Sequence, residues 1–157
     1  MKAASAIPRS VAARTAAGTQ VAALPYRVTE AGVEILLITS RRTHRWIVPK
    51  GWPETGATPW ADAAREAMEE AGVSGEIGEE LLGTFRYLKE TKHGLGVPCR
   101  VNLYPLKVTR QHRSWSEKAA RETKWHSIGE AAALVSEPEL KRLILKFGAR
   151  LAARRTS

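Results

Sequence analysis

Ala64-Arg65-Glu66-Ala67-Met68-Glu69-Glu70-Ala71-Gly72-Val73 is the stretch on which the reading of this chain turns. Signals for a helix start lie just upstream. Thr58 suits the N-cap, and Pro59 suits the first helical position, where a missing N–H costs nothing. Ala61, Ala63, Ala64, Ala67, Met68 and Ala71 supply helix propensity and a face of small residues for packing. Gly72 is placed to end the helix in a left-handed conformation, with apolar Val73 following to pack back. On such a helix Glu66, Glu69 and Glu70 stand at i, i+3 and i+4, so they project from one face, with Asp62 one turn earlier. Like charges at this spacing repel unless a cation neutralises them. Small hard ions such as Mg²⁺ and Mn²⁺ select carboxylate oxygens and pair with phosphates. Alternating Arg and Glu on an Ala-rich helix also describes a plain solvated face, and for the glutamates alone that reading leads. The loop before the helix shifts the balance. Gly51-Trp52-Pro53-Glu54-Thr55-Gly56 follows a strand and can bring a backbone carbonyl to a metal held by the helix.

Working outward, residues 20–26 read as a first strand and Thr29-Glu30-Ala31-Gly32 as a turn. Residues 33–39 form a continuous apolar run of strand length, expected to be buried on both faces and to pair with the first strand as a hairpin. Residues 46–48 read as a short strand stopped by Pro49. Downstream, strands are expected over 83–89, 97–108 and 122–127, the second with a bulge or break near Pro105. Residues 128–134 read as a short helix. Residues 138 to about 153 read as an amphipathic one, with Leu140, Leu143, Ile144 and Phe147 on one face. Strands mixed with helices in this way predict a layered α/β domain.

A chain of 157 residues fits one domain. Residues 1–18, rich in Ala, Ser and Arg and free of acids, read as a flexible tail ahead of a single domain over 19–157. The tail has no apolar core of the kind a secretory signal needs. No stretch is apolar enough to span a bilayer, so no membrane partner is expected. One cysteine, Cys99, excludes an intramolecular disulfide and a Cys-rich zinc site, and fits a cytoplasmic protein. The net charge of +9 favours anionic partners. Part of that excess sits near the ends, at Arg9, Arg14, Lys146, Arg150, Arg154 and Arg155. Neither a Walker-type loop nor a Gly-x-Gly-x-x-Gly fingerprint is present.

The order Gly, five residues, Glu, seven residues, then Arg-Glu-apolar-x-Glu-Glu-x-Gly-apolar resembles the box of the Nudix hydrolases. Gly51 is its opening glycine, Arg65 and Glu66 its Arg-Glu pair, and Ala67, Glu69, Glu70, Gly72 and Val73 fill the rest of a 23-residue span. One position departs: the box has Glu where this chain has Ala57. In the family that Glu is thought to support the arginine and the loop, so the departure bears on loop rigidity, with Glu54 as a substitute partner for Arg65. The flank Arg45-Trp46-Ile47-Val48-Pro49-Lys50-Gly51-Trp52-Pro53 is similar to the branch that includes the diphosphoinositol polyphosphate phosphohydrolases. The resemblance implies an α/β/α sandwich with a mixed central sheet. It implies a Mg²⁺-dependent pyrophosphohydrolase, with Mn²⁺ as the alternative cofactor. The implied substrate class is a diphosphoinositol polyphosphate or a dinucleoside polyphosphate. Glu66, Glu69 and Glu70 with the Gly51 carbonyl are the implied metal ligands, and Arg65 joins the glutamates in catalysis.

Arg41, Arg42, Arg45 and Lys50 lie just upstream of the box or at its edge, and with Gly51 are the expected substrate contacts, because Arg and Lys bind phosphate well. Lys89, Lys92, His93 and Arg100 come second for that task. Glu117, then Glu122, is the expected general base. A different class of reading is a catalytically weak module that binds nucleic acid through its basic surface. The charge permits it, but no stretch interleaves basic and aromatic residues, and all three glutamates are present. The oligomeric expectation is a monomer or a homodimer.

Overall fold

The computed structural model describes residues 18–89 and 96–156. The expected tail up to residue 17, with Arg9 and Arg14, lies outside the described residues, as do Lys92 and His93. The described chain runs β1 (Gly18–Thr29), β2 (Gly32–Thr39), β3 (Trp46–Ile47), β4 (Lys50–Gly51), α1 (Pro59–Ala71), β5 (Val73–Ile77), β6 (Gly83–Lys89) and β7 (Val97–Gln111). A single 3-10 turn at Lys118–Ala120 precedes β8 (Thr123–Ser127), α2 (Ile128–Leu134) and α3 (Pro138–Thr156).

The sheet is mixed. Its order is β3-β2-β1-β7-β5, with β8 also on β2, β4 also on β1 and β6 also on β7. β1 and β2 form the expected hairpin, and β1 lies parallel to β7 from Gly18↔Cys99 to Tyr26↔Lys107. Apolar strands with period-two side chains can feed two cores at once, and β2 does so. Ile35 and Leu37 enter a cluster with Ala131, Leu140, Ile144 and Phe147 of α2 and α3. Leu36 and Ile38 enter the opposite cluster with Ala63, Ala67 and Ala71 of α1. The alanines explain how α1 sits close on the sheet, and the two clusters make the architecture an α/β/α sandwich.

Helix α1 begins and ends as its residues dictate. Thr58 Oγ1 accepts the Ala61 N–H at 3.2 Å, Pro59 follows, and Gly72 closes the helix at φ 69°, ψ 27°. The polar run Val-Ser-Gly-Glu-Ile then forms β5, which has no apolar alternation to announce it. β7 passes straight through Pro105 instead of breaking there. On one side Pro105 is paired in parallel with Leu24. On the other it lies where β7 changes partner, from β6, last paired at Leu103, to β5, first paired at Leu106. The missing N–H of a proline costs nothing in such a gap. The register shift falls later, at Ser74/Gly75. Among the described residues no helix is long and apolar enough to cross a membrane.

Candidate active site

The face of α1 that carries the glutamates lies over β4, and the two elements bound a cavity of about 460 Å³. Gly51, Lys50, Glu66 and Glu70 line it, with Gln20 and Tyr87 on the sheet side. Glu66 and Glu70 are each only 7% exposed. The Glu70 carboxylate accepts the Lys50 N–H at 3.1 Å and faces Arg121 at 3.5 Å. Burial pushes both carboxyls above the usual carboxylate range; Arg65 opposes the shift at Glu66 and Arg121 at Glu70, while Glu69 adds to that of Glu66 and Glu66 to that of Glu70. Glu66 also fills the space beside the Gly51 backbone, where a Cβ would fall 2.2 Å from its Oε2. An all-oxygen pair buried against a strand backbone fits a small hard divalent cation.

Glu69 is placed differently. Its side chain is 41% exposed, does not line this cavity and pairs with Arg65 at 3.4 Å. Its carbonyl accepts the Glu117 N–H at 3.0 Å. Among the described residues no three His, Cys, Asp or Glu side chains form a group of metal-binding type. Arg65 is the hub of the helix face. It reaches Glu54 at 3.5 Å, Asp62 at 3.3 Å and Glu66 at 3.1 Å as well as Glu69. Glu54, the expected substitute partner for Arg65, is thus in contact with it from a mostly exposed position. Asp62, 1% exposed, accepts the Glu54 N–H at 3.1 Å, which ties the loop to the helix.

The model of the NUDIX domain matches residues 18–147, most of the chain and all of the elements that build this cavity. The chain belongs to the Nudix hydrolase family. It is 33% identical over 119 residues to Nudix hydrolase 12, mitochondrial, of Arabidopsis thaliana, covering 73% of this chain and 58% of that protein. It is 38% identical over 101 residues to diphosphoinositol polyphosphate phosphohydrolase 3-alpha of Homo sapiens, covering 62% of this chain and 57% of that protein. The chain thus spans less than two thirds of the length of either relative. Among solved structures, a binary complex of the C. elegans Ap4A hydrolase superposes with a TM-score of 0.66 at 28% identity, covering 86% of this chain and 98% of that one.

The cations of this Nudix domain are distributed unevenly. Lys50 lines the cavity, lies 4.6 Å from the centre of the Tyr87 ring, and is lowered in pKa by burial against the pull of Glu70 and Glu137. Lys89 also lines it. Arg45 instead pairs with Glu137 at 3.5 Å and lines a second cavity, which shares Tyr87 with the first. Arg41 and Arg42 sit in an exposed turn and line neither cavity, and Arg100 is exposed on β7. Trp52 lines the first cavity, whereas Trp46 packs edge-on to buried His126 at 5.1 Å.

Arg121 escaped the sequence reading. It is 9% exposed, donates to Glu117 at 2.8 Å and to the Thr39 carbonyl at 3.0 Å, and reaches Glu70. Its pair with Glu117 is local, but the partners that bring it to the site, Glu70 and Thr39, lie 51 and 82 positions away. The segment before it straps across the end of α1. His112 N–H donates to the Gly72 carbonyl at 2.8 Å, and the Trp115 indole lies on Gly72. Glu117 is thereby held beside the box, 27% exposed, while Glu122 spends its backbone N–H on Thr39 Oγ1.

Proposed function

We propose that this Nudix domain is a divalent-cation-dependent pyrophosphohydrolase that cleaves a phosphoanhydride bond in a polyphosphorylated small molecule. The observation that carries the reading is the buried Glu66–Glu70 pair facing Gly51 in a cavity that Lys50, Arg65, Lys89 and Arg121 also line. Glu66 and Glu70, with the Gly51 carbonyl, would hold Mg²⁺ or Mn²⁺, and Glu69 would join from the rim. When bound, the cation supplies charge neutralisation on the diphosphate and makes an attacking water more acidic. The chain's own groups do the rest. Arg65 fixes the Glu66 rotamer, which positions one ligand of the pair. Lys50 and Lys89 attract phosphate oxygens in a partly enclosed space, where fixed charge is worth more than in water. Glu117, tethered by Arg121 and by its own N–H to the Glu69 carbonyl, is our candidate for accepting a proton.

The substrates in the names of the relatives, Ap4A and diphosphoinositol polyphosphates, define the two classes to test. A buried single thiol, Cys99, supports a reducing compartment such as the cytoplasm. The test is hydrolysis by the full chain with Mg²⁺, read as inorganic phosphate from a diphosphoinositol polyphosphate and as mononucleotides from a dinucleoside polyphosphate, beside a Glu66→Gln/Glu70→Gln variant. Turnover by the parent and none by the variant is expected. If the parent turns over neither class and instead binds random RNA with a steep salt dependence, the nucleic-acid-binding alternative replaces this reading.

A further inference from the structure

A second cavity of about 480 Å³ adjoins the first, and Tyr87 lines both. A narrow cleft lined by Arg45, Lys50, Tyr87 and Glu137 lies between them. The second cavity offers the hydroxyls of Thr43 and Ser136 and the apolar surfaces of Leu88 and Pro138. Its charged residues, among those described, are Arg45 and Glu137, and the two are already paired at 3.5 Å. The Glu137 side chain is only 11% exposed. It stands just ahead of Pro138, and its carbonyl accepts the Lys141 N–H at 3.0 Å as the first turn of α3 forms. Its carboxylate lines the cavity in its pair with Arg45, and it acts on Lys50 as well.

A ring bearing several phosphates needs a free cation for each, and here Glu137 holds the one arginine that lines the cavity among the described residues. An uncharged ring with hydroxyl and amino groups has no such need. It can use Glu137 as an acceptor, the hydroxyls as partners and the apolar wall for burial. We propose that Glu137 is a specificity-determining residue that reserves the second cavity for an uncharged nucleoside group and excludes a polyphosphorylated ring. This rests on the hydrolase reading above and narrows its substrate class to nucleoside polyphosphates. Selectivity of this kind comes from a repulsive element as much as from an attractive one.

The experiment compares kcat/KM of the full chain with Mg²⁺ on diadenosine tetraphosphate and on a diphosphoinositol pentakisphosphate, for the parent, Glu137→Gln and Glu137→Lys. The ratio of the two values does not depend on the fraction of folded enzyme, so a partly unstable variant still reports. The parent is expected to favour the dinucleotide. Glu137→Lys should move the ratio toward the inositol substrate by roughly tenfold or more, with Glu137→Gln between. Inhibition of diadenosine tetraphosphate cleavage by inositol hexakisphosphate should tighten in the same order. A parent that favours the inositol substrate, or a ratio unchanged in both variants, would overturn the inference and leave the hydrolase reading standing. A parent that cleaves neither substrate would overturn both.

Discussion

The carboxylate of Glu66 occupies the space that a side chain on Gly51 would need. A Cβ built on Gly51 falls 2.2 Å from Glu66 Oε2 and 2.4 Å from its Cδ. The opening glycine of the box is thus a consequence of how closely one box glutamate approaches the β4 backbone. Gly51→Ala should force Glu66 to another rotamer. Overpacking of this kind costs about 1–3 kcal/mol, but the larger effect should fall on turnover, because the displaced group is a proposed metal ligand. The expected outcome is a folded protein with its polyphosphate hydrolysis lowered by orders of magnitude, read by circular dichroism and by product formation. Activity close to that of the parent would show that Glu66 need not sit where it does.

Gly72 answers two demands. Its φ of 69° disfavours a side chain, and a Cβ there would fall 2.3 Å from the Trp115 indole. A left-handed residue other than glycine costs about 1–2 kcal/mol, and asparagine usually escapes part of that cost. Here asparagine should not escape, because the indole leaves no room for any Cβ. Gly72→Asn and Gly72→Ala should therefore both lower the melting temperature. Adding Trp115→Ala should relieve part of the Gly72→Ala loss. A fully additive double mutant would contradict the steric half of this explanation.

Arg121 bridges Glu70 and Glu117 with 9% of its side chain exposed. Removing one member of a buried ion pair leaves the other uncompensated, at about 3 kcal/mol or more. Arg121→Ala should show a loss of that order in urea unfolding, and Glu70→Gln in the same background should recover part of it. If Arg121→Ala unfolds at the parent's midpoint, the bridge contributes nothing to the fold.

His126 is 4% exposed, and its Nε2 has no hydrogen-bond partner among the described residues. Burial lowers its pKa below the ordinary 6.5, with Lys124 acting in the same direction and Glu130 against it. The unfolded chain therefore takes up a proton at a higher pH than the folded one. Stability from this group is complete above the unfolded value and is lost as pH falls from about 6.5 toward the depressed folded value. A His126→Phe variant, which keeps an aromatic ring against Trp46, should flatten the pH dependence of stability in that window. An unchanged slope would assign the acid sensitivity to other groups.

Much of this molecule could be read before any coordinates. The caps of α1, the hairpin of β1 and β2, the short α2 and the amphipathic α3 follow from local rules that the fold obeys. β5 could not be read, because its pairing with β7 is dictated by the left-handed turn at Gly72 and not by an apolar pattern in Val-Ser-Gly-Glu-Ile. The break expected near Pro105 was absent because β7 changes neighbours there and leaves a gap in the hydrogen bonding. In the site, helix spacing put Glu66, Glu69 and Glu70 on one face, yet the sheet divides them: β4 covers Glu66 and Glu70 and leaves Glu69 at the rim. Spacing gives the direction of a side chain and says nothing of what will cover it. The basic run 41–45 shows the same limit, since Arg45 is paired with Glu137 from a distant loop and Arg41 and Arg42 stay in an exposed turn.

Mn²⁺ binding to the substrate-free chain, followed by electron paramagnetic resonance, tests the central claim most directly. The parent, Glu66→Gln/Glu70→Gln and Glu69→Gln would be titrated side by side at one pH. The predicted result is a saturable site in the parent, its loss in the double variant, and weaker but persistent binding in Glu69→Gln. Binding by the double variant equal to that of the parent would contradict the claim that the buried Glu66–Glu70 pair forms the metal centre.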